Sequence, residues 1–320
     1  MLKRDNTIDR ASITTHPVVP EICRVDLPSV TSVQGHPFRR LWLRVHLYLG
    51  LFGGALFVLM SLTGSFLVFY KAIDEWLNPI QLTTSGSGPY KPLNEVVETA
   101  QAAAPPGGWL DSLELPSHER EVFKAWQKVP TGQPDQFRWY QVAIDPYTGA
   151  ILSRDREWGG YLVSFIYELH ESLLIDELGQ TLVGFVAIFL LVSIGTGVFL
   201  WWPCSGKVRQ AFLPVMGGSR IRRYYQWHKL SGAYSVIVLA VLAFTGVYLA
   251  FPAYVIPLVS VFSPVDAPSG EGTVQSHPLL GGAPLSVEHA VGFAQSLFPD
   301  GRITYIGIPH EAADAYEMTI

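Results

Sequence analysis

The sequence predicts an α-helical membrane protein with three spans and α+β units outside the bilayer. Three observations point there: long uncharged apolar stretches, a charge asymmetry between the segments that join them, and an internal repeat. With 49% hydrophobic residues in a chain of 320, the protein is too apolar for an average soluble fold yet too polar to lie wholly in lipid.

No charged residue occurs over 47–70, 178–206 or 230–265. Each stretch reaches the ~20 residues needed to cross ~30 Å of hydrocarbon at about 1.5 Å per residue. Helices are accordingly expected at about 40–71, 179–202 and 222–251. Trp201, Trp202 and Pro203 close the second with interfacial aromatics and a helix breaker, and Pro252 closes the third.

Loop charges set the expected orientation. Residues 203–229 hold Lys207, Arg209, Arg220, Arg222, Arg223 and Lys229 with no acid, and Arg39, Arg40 and Arg44 crowd the start of the first span. The positive-inside rule places both in the cytoplasm. From Pro252 to Ile320 there is one basic residue, Arg302, against seven acids, and 71–177 also has more acids than bases, so both segments are expected in the periplasm. The net charge of −5 conceals this asymmetry and argues against a nucleic-acid partner. The first 38 residues mix Lys3, Arg4 and Arg10 with four acids and four prolines, which suits a polar cytoplasmic tail and not a cleavable signal.

The expected division is therefore a cytoplasmic tail over 1–38, a first transmembrane helix over 39–72, and a periplasmic α+β unit over 73–160. An interfacial segment with the second transmembrane helix follows over 161–202, then a cytoplasmic loop over 203–221, a third transmembrane helix over 222–252, and a second, incomplete periplasmic unit over 253–320.

The first and third spans repeat. His46 precedes Gly50 by four residues and Gly64 by eighteen, and His228 precedes Gly232 and Gly246 by the same intervals. Eighteen residues are five turns, so histidine, glycine and Thr-Gly share one helix face over ~27 Å. The external segments repeat too: 92–116 aligns with 284–309 as a helix, a Pro/Gly turn and a strand. In the first copy the strands EVFKAWQKV and FRWYQVAID lead to the turn Asp145-Pro146-Tyr147-Thr148-Gly149. A complete second copy would continue through such a turn, a counterpart of His170 and a fourth span; the expectation is a shortened chain or a partner that supplies that helix.

RVHLYLGLFGG with LTGSFLVFYKAIDEWLNP, IDPYTGAIL, YELHESLL with GFVAIFLLVSIGTGVFLWWP, and WHKLSGAYS with AFTGVYLAF together resemble the PepSY-associated transmembrane family over roughly residues 36–320. That family consists of bacterial inner-membrane proteins and includes iron-regulated and siderophore-iron reductase members. The resemblance implies four membrane helices, two periplasmic PepSY-like α+β units and, in reductase members, two non-covalent haems held by histidines.

With only Cys23 and Cys204 and no C-x-x-C-H, covalent haem attachment and a Cys-rich metal site are excluded, so any haem must be held by histidine. His46 and His228 sit at matching depth and form the first candidate pair for haem b; the plainer reading makes each an interfacial anchor beside Arg44 and Trp227. Two neutral imidazoles on one haem iron leave no open axial position, which suits electron transfer. His170 is expected at the periplasmic surface, because unbroken helix from it to Gly197 would run ~40 Å. The resemblance makes His170 a ligand of a second haem whose partner is absent here; otherwise it is a surface histidine between Glu168 and Glu171. His16, His36, His118, His277, His289 and His310 fall in polar or amphipathic segments and read as solvated.

Thr-Gly pairs at 63–64, 196–197 and 245–246 suit close helix packing as well as haem contact. Trp76, Trp139, Tyr140 and Trp158 offer an aromatic platform, although core packing explains them too. No nucleotide-binding or serine-hydrolase motif is present. The expected function is a haem b electron carrier, an oxidoreductase passing electrons from a cytoplasmic donor to periplasmic ferric siderophore iron. The alternatives are a haem-free, membrane-tethered binding or regulatory protein, and a siderophore permease, against which the scarcity of polar residues in the spans argues.

Overall fold

The computed structural model describes residues 37–133, 136–202, 208–214, 217–263, 285–311 and 313–320; His16, Cys23, His36, Cys204 and His277 lie outside them. Among the described residues three helices are long and apolar enough to cross a membrane: α1 (Pro37–Leu67), α6 (Asp176–Trp201) and α8 (Arg220–Ala250). Only 22% of the most apolar window of α6 is buried within the chain, and less in the other two, so these faces are left for lipid. Helix α6 packs against both α1 and α8 and is the central span.

The first expected span is broken near its end. The first span stops at Leu67, and after a break at Val68 and Phe69 the chain restarts as α2 (Tyr70–Leu77), followed by α3 (Pro79–Leu82). His170 does not continue into the second span. It lies on α5 (Leu162–Ser172), which folds back against α1 and α6. Leu173, Leu174 and Asp176 take φ of 51°, 63° and 48° to turn that corner, a conformation that costs L residues on the order of 1–2 kcal/mol each. Gly179 makes the corner feasible: a Cβ there would stand 1.5 Å from the Ser172 carbonyl oxygen.

Outside the membrane helices, α4 (Leu93–Ala102) is followed by β1 (Trp109–Glu114), β2 (Phe123–Pro130), β3 (Phe137–Ile144) and β4 (Ile151–Glu157). After α7 (Val208–Ala211) and α9 (Pro252–Ser260), the chain adds α10 (Val287–Leu297), β5 (Tyr305–Gly307) and β6 (Glu317–Thr319). The two external repeats join in one antiparallel sheet, ordered β4-β3-β2-β1-β5-β6, with Leu113 opposite Ile306 at the seam. The expected pair of units is therefore one layer. Helices α4 and α10 cover the same face, where Val96, Ala100, Val287 and Ile306 are buried, and Asn94 Nδ2 donates to Glu288 Oε2 at 2.8 Å between them. The Asp145 turn forms as the sequence suggests, with Asp145 Oδ1 accepting from the amides of Tyr147 and Thr148 at 2.9 Å.

Buried ion pairs hold the other face of the sheet over the helix ends. Arg156 of β4 donates through Nη2 to both carboxylate oxygens of Asp74 on α2, at 2.8 and 2.6 Å, and stacks over Tyr161 at 4.1 Å. Removing either partner leaves a buried charge alone, at a cost of about 3–5 kcal/mol. Glu121 accepts from Lys124 Nζ at 2.9 Å and from the Ser117 hydroxyl and amide. Burial pushes its pKa up, but those hydrogen bonds outweigh burial and hold it at about 2.

Two outcomes follow from these constraints. Gly179→Ala should lower the melting temperature of the detergent-purified protein by the equivalent of about 1–3 kcal/mol, because the α5–α6 corner must open. The carboxylate of Glu121 ionises more readily in the folded chain than its ordinary 4.5, so its stabilisation is present above that value and is lost as pH falls towards 2. Thermal unfolding of Glu121→Gln should therefore show a shallower loss of stability between pH 5 and pH 3 than wild type, on the order of one titrating group.

Candidate histidine sites in the membrane helices

The two sequence-paired histidines meet. His46 on α1 and His228 on α8 bring their ring centres to 5.9 Å with planes tilted by 55°, although α6 lies between the bodies of the two helices. Local contacts draw the ends together. Phe38 stacks edge-on against Phe199 at 5.9 Å and Arg39 donates to the Leu200 carbonyl, which ties the start of α1 to the end of α6. On the other side Trp201 packs on Phe212 at 4.9 Å, and the Tyr234 hydroxyl donates to the Phe212 carbonyl at 2.9 Å, which brings in α8.

Two imidazoles that share one metal through bonds of about 2 Å hold their ring centres roughly 6 Å apart. The separation of His46 and His228 is close to that figure. Gly50 and Gly232, each one turn further along its helix, have nothing within 4 Å of where a Cβ would stand. A broad flat group would meet no side chain there, so the residues present fit a haem. Among the described residues no cluster of three or more His, Cys, Asp or Glu side chains lies within reach of one metal ion.

His46 is held by α6. Its Nδ1 lies 3.1 Å from the Ser193 carbonyl oxygen and 3.0 Å from Thr196 Oγ1. Its Cε1 lies 3.1 Å from where a Cβ on Gly197 would be, so any larger residue would push the ring away. His228 is exposed at its helix surface, and its ring makes no hydrogen bond to the described residues.

His170 occupies a separate place at the sheet side of the bundle. Its Nδ1 lies 2.8 Å from Thr63 Oγ1 of α1, and its Cε1 is 3.1 Å from the Cβ position of Gly64. Seventeen residues of helix separate His46 from Thr63, or ~25 Å, so the two sites sit near opposite ends of the span. Immediately beside α5, Trp126, Trp139, Trp158, Tyr161 and Tyr167 line a cavity of about 320 Å³ between the sheet and the helix ends. Trp76 and Tyr140, expected in an aromatic platform, do not line it.

Sequence reasoning named the three histidines but not what holds two of them. Thr63-Gly64 and Thr196-Gly197, which in the sequence suit helix packing as well as haem contact, each pack on a histidine from another helix. Among the histidines expected to be solvated, His310 stacks on Trp109 at 4.3 Å and 10°, and His289 bonds to Ser286 at 2.9 Å.

The family model of the PepSY-associated TM region matches residues 43–312, and the chain belongs to that family. No curated protein matches it. Gly64→Leu should displace His170 and lower the melting temperature of the purified protein by the equivalent of about 1–3 kcal/mol, whereas Gly292→Leu on α10, which meets open space, should not lower it.

Proposed function

We propose that this membrane protein holds haem b between His46 and His228 and passes electrons across a bacterial inner membrane, from a cytoplasmic donor to ferric iron chelated by a siderophore in the periplasm. The observation that carries this reading is the meeting of two imidazoles from equivalent positions of the repeat at 5.9 Å. An unsolvated histidine within a span is expensive unless it has work to do.

Haem b held there by His46 and His228 would supply a reversible one-electron carrier. The residues' tasks are to bind and to orient. His46 and His228 offer the ligand nitrogens, while Gly50 and Gly232 leave room beside them. Arg39, Arg40, Arg222 and Arg223 lie in the first turns of α1 and α8, where cationic groups favour a cytoplasmic placement and can pair with acidic groups. His170 is the residue of this chain through which a second haem would be held on the sheet side, its other ligand coming from a partner or a further segment.

On the sheet side, the aromatic cavity beside α5 lies where a periplasmic acceptor would approach. Reduction of ferric to ferrous iron weakens hard-oxygen chelation and frees the metal. The same cavity also favours a second reading, a haem-free tethered binding protein, because it offers a ligand site without redox chemistry.

A reduced-minus-oxidised absorption spectrum of the detergent-purified protein distinguishes the two readings. Wild type should show a haem b difference spectrum, and His46→Ala and His228→Ala should each lose most of it. Wild-type protein expressed with ample haem that shows no such signal would end the electron-transfer reading and leave the binding protein.

A further inference from the structure

Two histidines on different elements rest on the same local construction. Thr196 Oγ1 donates to the Ser193 carbonyl, three residues earlier, at 2.9 Å, and His46 Nδ1 faces both oxygens at 3.0 and 3.1 Å. Thr63 Oγ1 donates to the Leu59 and Met60 carbonyls at 2.8 and 3.2 Å, and His170 Nδ1 faces Thr63 Oγ1 at 2.8 Å. In both, the following glycine brings the ring against the helix, with Cε1 at 3.1 Å from the missing Cβ. Thr63 and Thr196 are buried, 5% and 4% exposed, so water does not compete for these bonds.

The bonding fixes where the imidazole proton sits. A carbonyl oxygen can only accept, and a threonine hydroxyl that has given its proton to a carbonyl can only accept as well. At His46 the Ser193 carbonyl requires hydrogen on Nδ1, and at His170 the Thr63 hydroxyl does so while its own hydrogen lies on a carbonyl, which leaves Nε2 bare in each neutral ring. The neutral side chain of free histidine favours the opposite arrangement.

We propose that Thr196 and Thr63 are positioning residues: each Thr-Gly pair is a seat that holds a neighbouring helix's histidine in the Nδ1-protonated form and turns its bare Nε2 towards a metal. For His46 the metal is the haem iron of the reading above, on which that part of the inference rests; the seat itself does not depend on it. Outer partners of this kind are worth about ten- to a hundredfold in metal affinity. They also make the imidazole more electron-donating, which favours the oxidised metal.

The test uses full-length protein in lipid nanodiscs with ¹⁵N-labelled histidine, prepared without haem and then loaded with it. Without haem, His46 and His170 should show protonated Nδ1 and bare Nε2. Thr196→Val should disturb only the His46 signals and Thr63→Val only those of His170, and Thr→Ser at either position should restore them. Loaded with haem, Thr196→Val should bind it about tenfold more weakly and shift its reduction potential upwards, while Thr196→Ser stays near wild type. Protonated Nε2 on either histidine in the wild type, or Val variants with unchanged ¹⁵N signals, would overturn the seats. A Thr196→Val protein with wild-type haem affinity and potential would overturn the positioning role. If wild type takes up no haem, the haem reading falls while the ¹⁵N signals still decide the seats.

Discussion

The arrangement of the membrane helices depends on one interaction: an imidazole pressed against a Thr-Gly pair of a neighbouring helix, its Nδ1 bonded to the threonine hydroxyl and, at His46, to the carbonyl one turn back. Between apolar helices in lipid no hydrophobic force selects one register over another, and association relies on close packing and hydrogen bonds. Glycine permits the approach and threonine supplies the polar partner. The seat on α6 sets His46 in register beside His228, and the seat on α1 holds α5 back against the bundle. Thr245-Gly246 of α8 repeats the construction, with Thr245 Oγ1 donating to Leu242 at 2.9 Å, and no described histidine lies against it.

The sheet follows from the same duplication. Strand β1 and its repeat β5 pair with each other across the seam, so α4 and α10 fall side by side on one face. The opposite face is turned to the helix ends and fastened there by Arg156 and Asp74. That fastening places the aromatic cavity next to α5, one turn of helix from His170. The external sheet is thus positioned over one of the two histidine sites and ~25 Å of helix away from the other.

Much of this was legible in the sequence, because apolar length, loop charge and repeated spacing are one-dimensional signals. They gave the three spans to within a few residues, the Asp145 turn and the equivalence of His46 and His228. The rest depends on contacts between distant segments. The corner between α5 and α6 uses left-handed leucines, a choice that sequence preference opposes and only packing can impose. The seam between β1 and β5 joins strands from opposite ends of the chain, and each alone reads as part of a separate unit. The break at Val68 and Phe69 has no proline or glycine to announce it. The Thr-Gly pairs were visible as small-residue motifs, but that they receive histidines appears only when the helices are placed together.

The central claim is that the imidazoles of His46 and His228 clasp one iron porphyrin. Iron K-edge absorption on the purified, haem-loaded protein tests it most directly. Six-coordinate, low-spin iron with two axial imidazole nitrogens at about 2 Å is expected, and this two-imidazole coordination should be lost when His228 is replaced. Five-coordinate iron in the wild type, or axial imidazoles that survive removal of His228, would contradict it.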